Sequence, residues 1–230
     1  MIESVACITS GCSVSATIVS TTTTGVFTVN LTGQTHTALG AGDQNPAPGF
    51  LDLEFSVSNE AGAVNLREYR ITHAVTNGTG DTVTMFRHVL GYDVDDAIDP
   101  PFGAAFTPSG DSDGLDFDEE DQTPAPASAD FATITINPAS QATFDTIHWD
   151  DGDLADTELT TLSYSVDVPN FNFTGGMPAA AETSSGYKFL IRHWPVPEPG
   201  SFVLAVAAAL AVLCRGRRRC DRSSAPVGYD

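Results

Sequence analysis

The sequence predicts an all-β protein: an antiparallel β-sandwich with jelly-roll-like connections, followed by a single short hydrophobic helix near the C-terminus. Runs of β-branched and aromatic residues recur along the first 195 residues, and clusters of Gly, Pro, Asn and Asp separate them. The run from Leu51 to Ser58 alternates apolar and polar side chains, as expected for a sheet with one face in water. No amphipathic helix of three turns is visible between these runs.

Each predicted strand is a short run bounded by turn-forming residues. The Asn77-Gly78 pair lies between two such runs and predicts a β-hairpin with antiparallel flanking strands. Residues 1–195 are enough to bury one substantial core, so a single domain is expected. The predicted strands are 13–20, 25–31, 51–58, 66–76, 82–91, 132–136, 143–149, 159–168 and 187–193.

Residues 1–195 are strongly acidic. They contain 27 Asp and Glu residues and five bases, a formal charge of −22. Nucleic acid is therefore excluded as a partner, because a phosphate backbone requires a basic surface. Three interpretations of the charge remain open: a solvated acidic surface suited to salty water, bound Ca²⁺, and a charged disordered loop.

Residues 93–130 are rich in Asp, Pro, Gly and Ala and are expected to form a long acidic loop or insertion. Carboxylates alternate along part of this segment beside a glycine, a pattern that can bring several oxygen ligands onto one Ca²⁺ ion. The spacing is not that of an EF-hand, and a solvated loop is the alternative. The candidate Ca²⁺ ligands are Asp111, Asp113, Asp116 and Asp118.

The sequence does not predict an enzyme. It contains neither a Gly-x-Ser-x-Gly nor a His-Glu-x-x-His motif. The many carboxylates would allow a glycosidase-like pair by chance, which keeps a secreted hydrolase as a minor alternative. The five histidines have no partner pattern and are expected at the surface or on edge strands: His36, His73, His88, His148 and His193.

Two of the four cysteines lie near the start of the sequence and two near its end. Cys7 and Cys12 are close enough in sequence to form a disulfide in an oxidising compartment. Cys214 and Cys220 flank a cluster of arginines and are expected to remain reduced in the cytoplasm. No zinc-type spacing of cysteine and histidine is present in the sequence.

Residues 196–220 have the pattern of a membrane-targeting tail. The prolines at 197 and 199 favour an exposed, non-helical segment from Val196 to Pro199. Residues 201–214 are uncharged and rich in Ala and Leu, but a helix of this length spans only about 21 Å of a hydrocarbon core of about 30 Å. The bases that follow favour a cytoplasmic end, with residues 221–230 as a cytoplasmic tail. This positive stop consists of Arg215, Arg217, Arg218 and Arg219.

The order of these three parts resembles the PEP-CTERM sorting signal of exported proteins in Gram-negative bacteria that make exopolysaccharide. The resemblance implies that an exosortase recognises the motif Val196, Pro197, Glu198 and Pro199 and cleaves near it. It further implies transit through the inner membrane on the helix 201–214, followed by release to the cell surface or extracellular matrix. Such proteins also carry an N-terminal signal, whereas Glu3 stands where a basic region belongs, which leaves two alternatives: a true start upstream of Met1, or a chain that is not exported.

The body is similar, more weakly, to a β-rich surface domain of unassigned activity that precedes such tails. The residues that carry this similarity lie in 69–92, 113–117, 147–152, 167–169 and 189–192. The expected role is structural or adhesive, with exopolysaccharide as a possible partner. A Ca²⁺-dependent carbohydrate-binding module and a permanently anchored ectodomain are the alternatives.

Overall fold

The computed structural model confirms the all-β class for the residues that it describes. It describes residues 1–9, 11–20, 27–40, 49–58, 66–93, 106–109, 114–117, 125–138, 145–169 and 186–197. These residues form thirteen strands and belong to one compact unit, Met1–Pro197.

The strands are short to medium in length and follow one another along the chain. They are β1 (Ile2–Cys7), β2 (Ser15–Ser20), β3 (Phe27–His36), β4 (Leu51–Ser58), β5 (Leu66–Asn77), β6 (Val83–Asp93), β7 (Phe106–Pro108), β8 (Asp116–Phe117), β9 (Ala127–Ser128), β10 (Phe131–Ile136), β11 (Thr146–Gly152), β12 (Leu159–Pro169) and β13 (Gly186–Pro197). All nine predicted strands are present, and β4 has the predicted bounds.

Two sheets pack face to face. The first has the order β1-β4-β13-β6-β11-β10, with β7 paired to β6; the second has the order β2-β3-β5-β12-β8, with β9 paired to β12. Every strand pair is antiparallel except β3 with β5, which run parallel. The predicted wholly antiparallel sandwich is therefore wrong for this one pair.

The predicted hairpin at Asn77-Gly78 is also wrong, because β5 and β6 belong to different sheets. The side chain of Asn77 donates to the carbonyl oxygens of Asp81 at 2.8 Å and Leu154 at 3.0 Å. Its Oδ1 accepts a hydrogen bond from the backbone N–H of Thr79 at 3.1 Å. These bonds make an Asx turn that carries the chain from one sheet to the other, where a two-residue hairpin turn would have returned it to the same sheet.

The described part of the acidic segment 93–130 includes three short strands. β7, β8 and β9 lie within it, and β8 and β9 both pair with β12. Leu115 and Phe117 are fully buried in the main core and anchor this part of the segment. The segment expected as a long acidic loop or insertion thus contributes three short strands to the two sheets.

The first sheet buries side chains on both faces. Along β13, Phe189, Ile191 and His193 face the second sheet, while Arg192 and Trp194 lie on the opposite face. There Arg192 donates to both oxygens of Asp52, each at 2.7 Å, and its guanidinium lies 4.0 Å from the centre of the Phe50 ring. The ion pair is almost completely removed from water, with side-chain exposures of 2% and 8%.

Strand β13 extends further toward the C-terminus than the sequence predicts. Val196 pairs with Met85 and is 3% exposed, so the expectation of an exposed segment beginning at Val196 is wrong for that residue. The described residues do not include Glu198, Pro199, the predicted helix 201–214, the arginine cluster or residues 221–230. Among the residues that are described, no helix is long and apolar enough to cross a membrane.

Removing one partner of the buried pair should destabilise the fold strongly. Asp52→Ala leaves the Arg192 charge buried without its carboxylate, which we expect to lower the free energy of unfolding by about 3–5 kcal/mol. Urea denaturation followed by circular dichroism measures the change.

The matched control is Glu68→Ala, which breaks the pair between Glu68 and Arg70 at 3.3 Å. Those side chains are 27% and 37% exposed, so the expected loss is at most about 1 kcal/mol. An equal loss of unfolding free energy in the two variants would contradict the larger contribution predicted for the Asp52–Arg192 pair.

Candidate functional site

Four histidines meet in the centre of the sandwich. His36 on β3 and His73 on β5 come from the second sheet, and His88 on β6 and His193 on β13 come from the first. His73, His88 and His193 are completely buried, and His36 is 1% exposed. We call these four residues the histidine cluster.

Three members of the cluster occupy positions where the strand pattern requires an apolar residue. Along β5, His73 follows Tyr69 and Ile71 on the buried face, and along β6, His88 follows Phe86. His88 and His193 are direct neighbours across the ladder between β6 and β13, and their rings are nearly parallel with centroids 5.4 Å apart. A histidine at an inward position of an alternating strand was the signal available in the sequence.

His36 reaches the cluster because β3 contains a bulge. Residues up to Leu31 alternate with odd numbers inward, whereas Gln34 and His36 are buried beyond the bulge. The register with β5 shifts between Leu31 and Gln34, and Gly33 has a φ of 81°. Glycine adopts this left-handed conformation without strain, and one extra residue exchanges the two faces of the strand.

A directed chain of hydrogen bonds begins at Trp149. Its indole N–H donates to His88 Nδ1 at 2.9 Å. Because an indole nitrogen can only donate, the proton of neutral His88 must lie on Nε2. That nitrogen is 3.5 Å from His73 Nδ1, which is long for a hydrogen bond between nitrogens.

The other end of the chain is fixed by the disulfide between Cys7 and Cys12. The amide nitrogen of Gln34 lies 3.9 Å from the sulfur of Cys7 and 3.6 Å from that of Cys12. Disulfide sulfurs only accept, so the amide oxygen of Gln34 faces the opposite way and accepts from His73 Nε2. Both ends therefore assign the same tautomer pattern: protons on Nε2, with a lone pair on His73 Nδ1.

The second histidine pair is less completely satisfied. His36 Nε2 and His193 Nδ1 are 3.0 Å apart, so one donates to the other. His193 Nε2 has no hydrogen-bond partner within the described part of the chain, and neither does the hydroxyl of Tyr164. His36 Nδ1 makes no bond of good geometry, although the backbone of Gly49 interacts with the ring. Unpartnered polar atoms this deep in a core are uncommon and point to a further role.

Burial keeps all four imidazoles neutral. Desolvation lowers the pKa of His36 to about 3, against a smaller opposing effect of the Gly49 backbone. Desolvation, assisted by repulsion from His36, lowers the pKa of His73 to about 3 as well. The pKa values of His88 and His193 lie well below the usual range, first through desolvation and then through repulsion among the rings. Burial likewise raises the pKa of Tyr164, which stays a neutral phenol.

The cluster therefore presents uncharged imidazole nitrogens in a dry interior; Nδ1 of His73 carries a lone pair, whereas Nε2 of His88 carries a proton. One nitrogen from each of His73, His88 and His193 lies within 4.8 Å of the other two. Imidazole nitrogens bind transition metals, whereas Ca²⁺ requires oxygen ligands. Phe86 packs against His36, His88 and His193 and closes the cluster on one side.

The residues singled out from the sequence lie elsewhere or outside the described chain. Of the candidate Ca²⁺ ligands, Asp116 is on β8 opposite Asp167, and Asp111, Asp113 and Asp118 lie outside the described residues. The expectation that the histidines lie at the surface or on edge strands is wrong. The four histidines of the cluster are buried, and the fifth, His148, is only 6% exposed. Comparisons of the chain with protein families, curated proteins and solved structures found no match.

The metal-free protein should lose stability as the pH falls below about 6.5. In the folded state the pKa values of the cluster lie below those of the unfolded chain, so unfolding takes up protons in this range. The stabilisation from the neutral histidines is fully present at pH values above their pKa in the unfolded chain. It decreases as the pH falls toward their pKa values in the folded state. Each histidine contributes a slope of about 1.4 kcal/mol per pH unit once the unfolded chain is protonated.

Urea denaturation in the presence of a chelator, from about pH 7.5 to about pH 5, measures this slope. His73→Gln should reduce it by the share of one histidine. If unfolding of the unsubstituted protein takes up less than one proton in this pH range, the cluster is not buried in its neutral form.

Proposed function

We propose that this chain is an exported protein of the cell surface or extracellular matrix, with a structural or adhesive role and a C-terminal tag for exosortase sorting. One structural observation carries the proposal: Cys7 and Cys12 are joined in a disulfide that links β1 to the segment before β2. Disulfides persist outside the cytosol and are rare within it. The tail from Val196 to Arg219 provides the sequence support.

The strand order supports a jelly-roll-like body. In the first sheet β4, β13, β6 and β11 are consecutive neighbours, and in the second sheet β5 is next to β12 and β12 next to β8. The chain thus passes to the opposite sheet from β4 to β5 to β6, and again from β11 to β12 to β13. Two sheets connected in this way are typical of jelly rolls, a fold found in viral capsid and lectin domains.

The burial of the histidine cluster favours a structural role over catalysis at that site. A substrate must contact the groups that transform it, yet the four rings are at most 1% exposed. The bases of the body are also engaged: Arg87 with Asp150 at 2.7 Å, Lys188 with Glu54 at 3.4 Å, and Arg192 with Asp52. The surplus carboxylates leave a surface whose charge keeps the body soluble and discourages anionic partners.

Counting thiols on the protein from its native host tests the proposal. Of the four cysteines, only Cys214 and Cys220 are expected to react with iodoacetamide without reduction. Surface material that has lost its tail should therefore carry no alkylated cysteine, whereas the unprocessed chain should carry two. Mass spectrometry of the intact protein reads both the adducts and the C-terminal residue.

A double substitution, Glu198→Ala with Pro199→Ala, should block processing while leaving β13 intact, and Pro226→Ala beyond the arginine cluster is the matched control. Surface protein that retains Asp230 and two alkylated cysteines would contradict sorting by cleavage. Full-length chain confined to the cytosol with four reactive thiols would contradict export itself.

A further inference from the structure

We propose that His73, His88 and His193 bind one copper(I) ion in the interior of the sandwich. The observation that carries this inference is the meeting of three neutral ring nitrogens, none of them more than 4.8 Å from the others, in side chains with no exposure to water. The inference does not depend on how the protein is sorted.

The distance between His73 Nδ1 and His88 Nε2 fits a shared metal ion better than a hydrogen bond. The two atoms are 3.5 Å apart, beyond the usual range for a hydrogen bond. Metal–nitrogen bonds of about 2.0–2.1 Å in a trigonal arrangement place two ligands about 3.5 Å apart. Because the His193 nitrogen lies within 4.8 Å of the other two, the triangle closes with a movement of at most about 1 Å, within reach of side-chain rotation.

Two of the three rings already have the hydrogen-bond partners that metal ligands require. A ligating histidine donates its other N–H to an acceptor, which orients the ring. His73 donates from Nε2 to the amide oxygen of Gln34, and Nδ1 is left with its lone pair. His193 can donate from Nδ1 to His36 Nε2 at 3.0 Å, which frees its unpartnered Nε2 for the ion.

Trp149 opposes ligation by the third ring. Its indole N–H donates to His88 Nδ1 at 2.9 Å and so places the proton of His88 on Nε2, the nitrogen that faces His73. Binding the ion through Nε2 requires this proton to leave or move to Nδ1, where the indole N–H stands in its way. Removing the indole donor should therefore strengthen metal binding, an effect that a purely structural role of Trp149 does not produce.

The charge of the site selects a monovalent ion. In the described part of the chain, the side chains that hydrogen-bond to or stack on the three rings are neutral: Gln34, His36, Phe86, Trp149 and Tyr164. With no anionic ligand among the described residues, the full charge of the ion is buried, and the cost of burying charge rises with its square. Copper(I) has one charge, accepts imidazole ligands and is stable with three of them, whereas zinc sites are almost always four-coordinate.

Because the rings are inaccessible in the folded state, the ion must enter during folding or during transient opening of the sandwich. The test therefore uses the full chain, with Cys214 and Cys220 alkylated so that their thiols do not bind copper. The protein is refolded from urea with copper(I) under anaerobic conditions, with ascorbate as reductant. Competition with the chromophoric chelator bicinchoninate then measures the affinity.

We expect one copper(I) per chain after refolding, with an X-ray absorption spectrum showing three nitrogen neighbours and no sulfur. His73→Gln and His193→Gln should weaken binding by about 100-fold or more, because each removes a ligand. His148→Gln is the matched control and should bind as the unsubstituted protein does. Trp149→Phe should bind about tenfold more tightly, since the opposing donor is gone.

Several outcomes would overturn the proposal. The proposed site is wrong if no copper(I) is bound after refolding, or if the His73→Gln variant binds copper(I) as tightly as the unsubstituted protein. Retention of zinc in preference to copper(I) overturns the identity of the ion, and weaker binding by Trp149→Phe overturns the assignment of His88 Nε2 as a ligand. Should the ligand variants fail to fold, nuclear magnetic resonance of the unsubstituted protein decides, because copper(I) must shift the ring signals of the cluster and not those of His148.

Discussion

The burial of four uncharged imidazoles between the sheets is the constraint on which the rest of the interior depends. A neutral imidazole has one donor and one acceptor, and each that remains unpaired in a core costs free energy. Trp149 supplies a fixed donor at one end, and Gln34 supplies a fixed acceptor at the other. The orientation of every ring in the first pair follows from these two residues.

Strand β13 connects this interior to the opposite face of the first sheet. His193 faces inward beside His88, and the next residues along the strand place Arg192 and Trp194 on the other side. The ion pair between Arg192 and Asp52 therefore holds the same strand that positions a cluster histidine. Damage to the outer pair and damage to the cluster should both affect β13, which pairs with β4 and β6.

The disulfide, which supports the proposed export of the protein, also orients side chains in its interior. Cys7 and Cys12 lie against the amide of Gln34, and that amide fixes the tautomer of His73. A reduced thiol can donate as well as accept, so the orientation of Gln34 is unambiguous only when the sulfurs are joined. Formation of the disulfide thus fixes the end of the hydrogen-bond chain at Gln34.

The sequence alone determined nine of the thirteen described strands, since alternation and turn residues are local properties, but not β1 or the short strands β7, β8 and β9. It correctly predicted the all-β class and strands such as Leu51–Ser58. It did not reveal which strands share a sheet, because a period of two fixes the face of a side chain and not the neighbour of a strand. The prediction of wholly antiparallel pairing failed for β3 and β5, and the prediction of a hairpin at Asn77 failed, for this reason.

The histidine cluster was decided by the tertiary structure. His73 and His88 could have been recognised by their inward positions, whereas Gln34 and His36 could not, because the bulge at Gly33 exchanges the faces of β3. Four side chains separated by up to 157 residues meet only when two sheets pack together. Their shared neutrality, and with it the capacity to bind a metal ion, is a property of that packing and of no single segment.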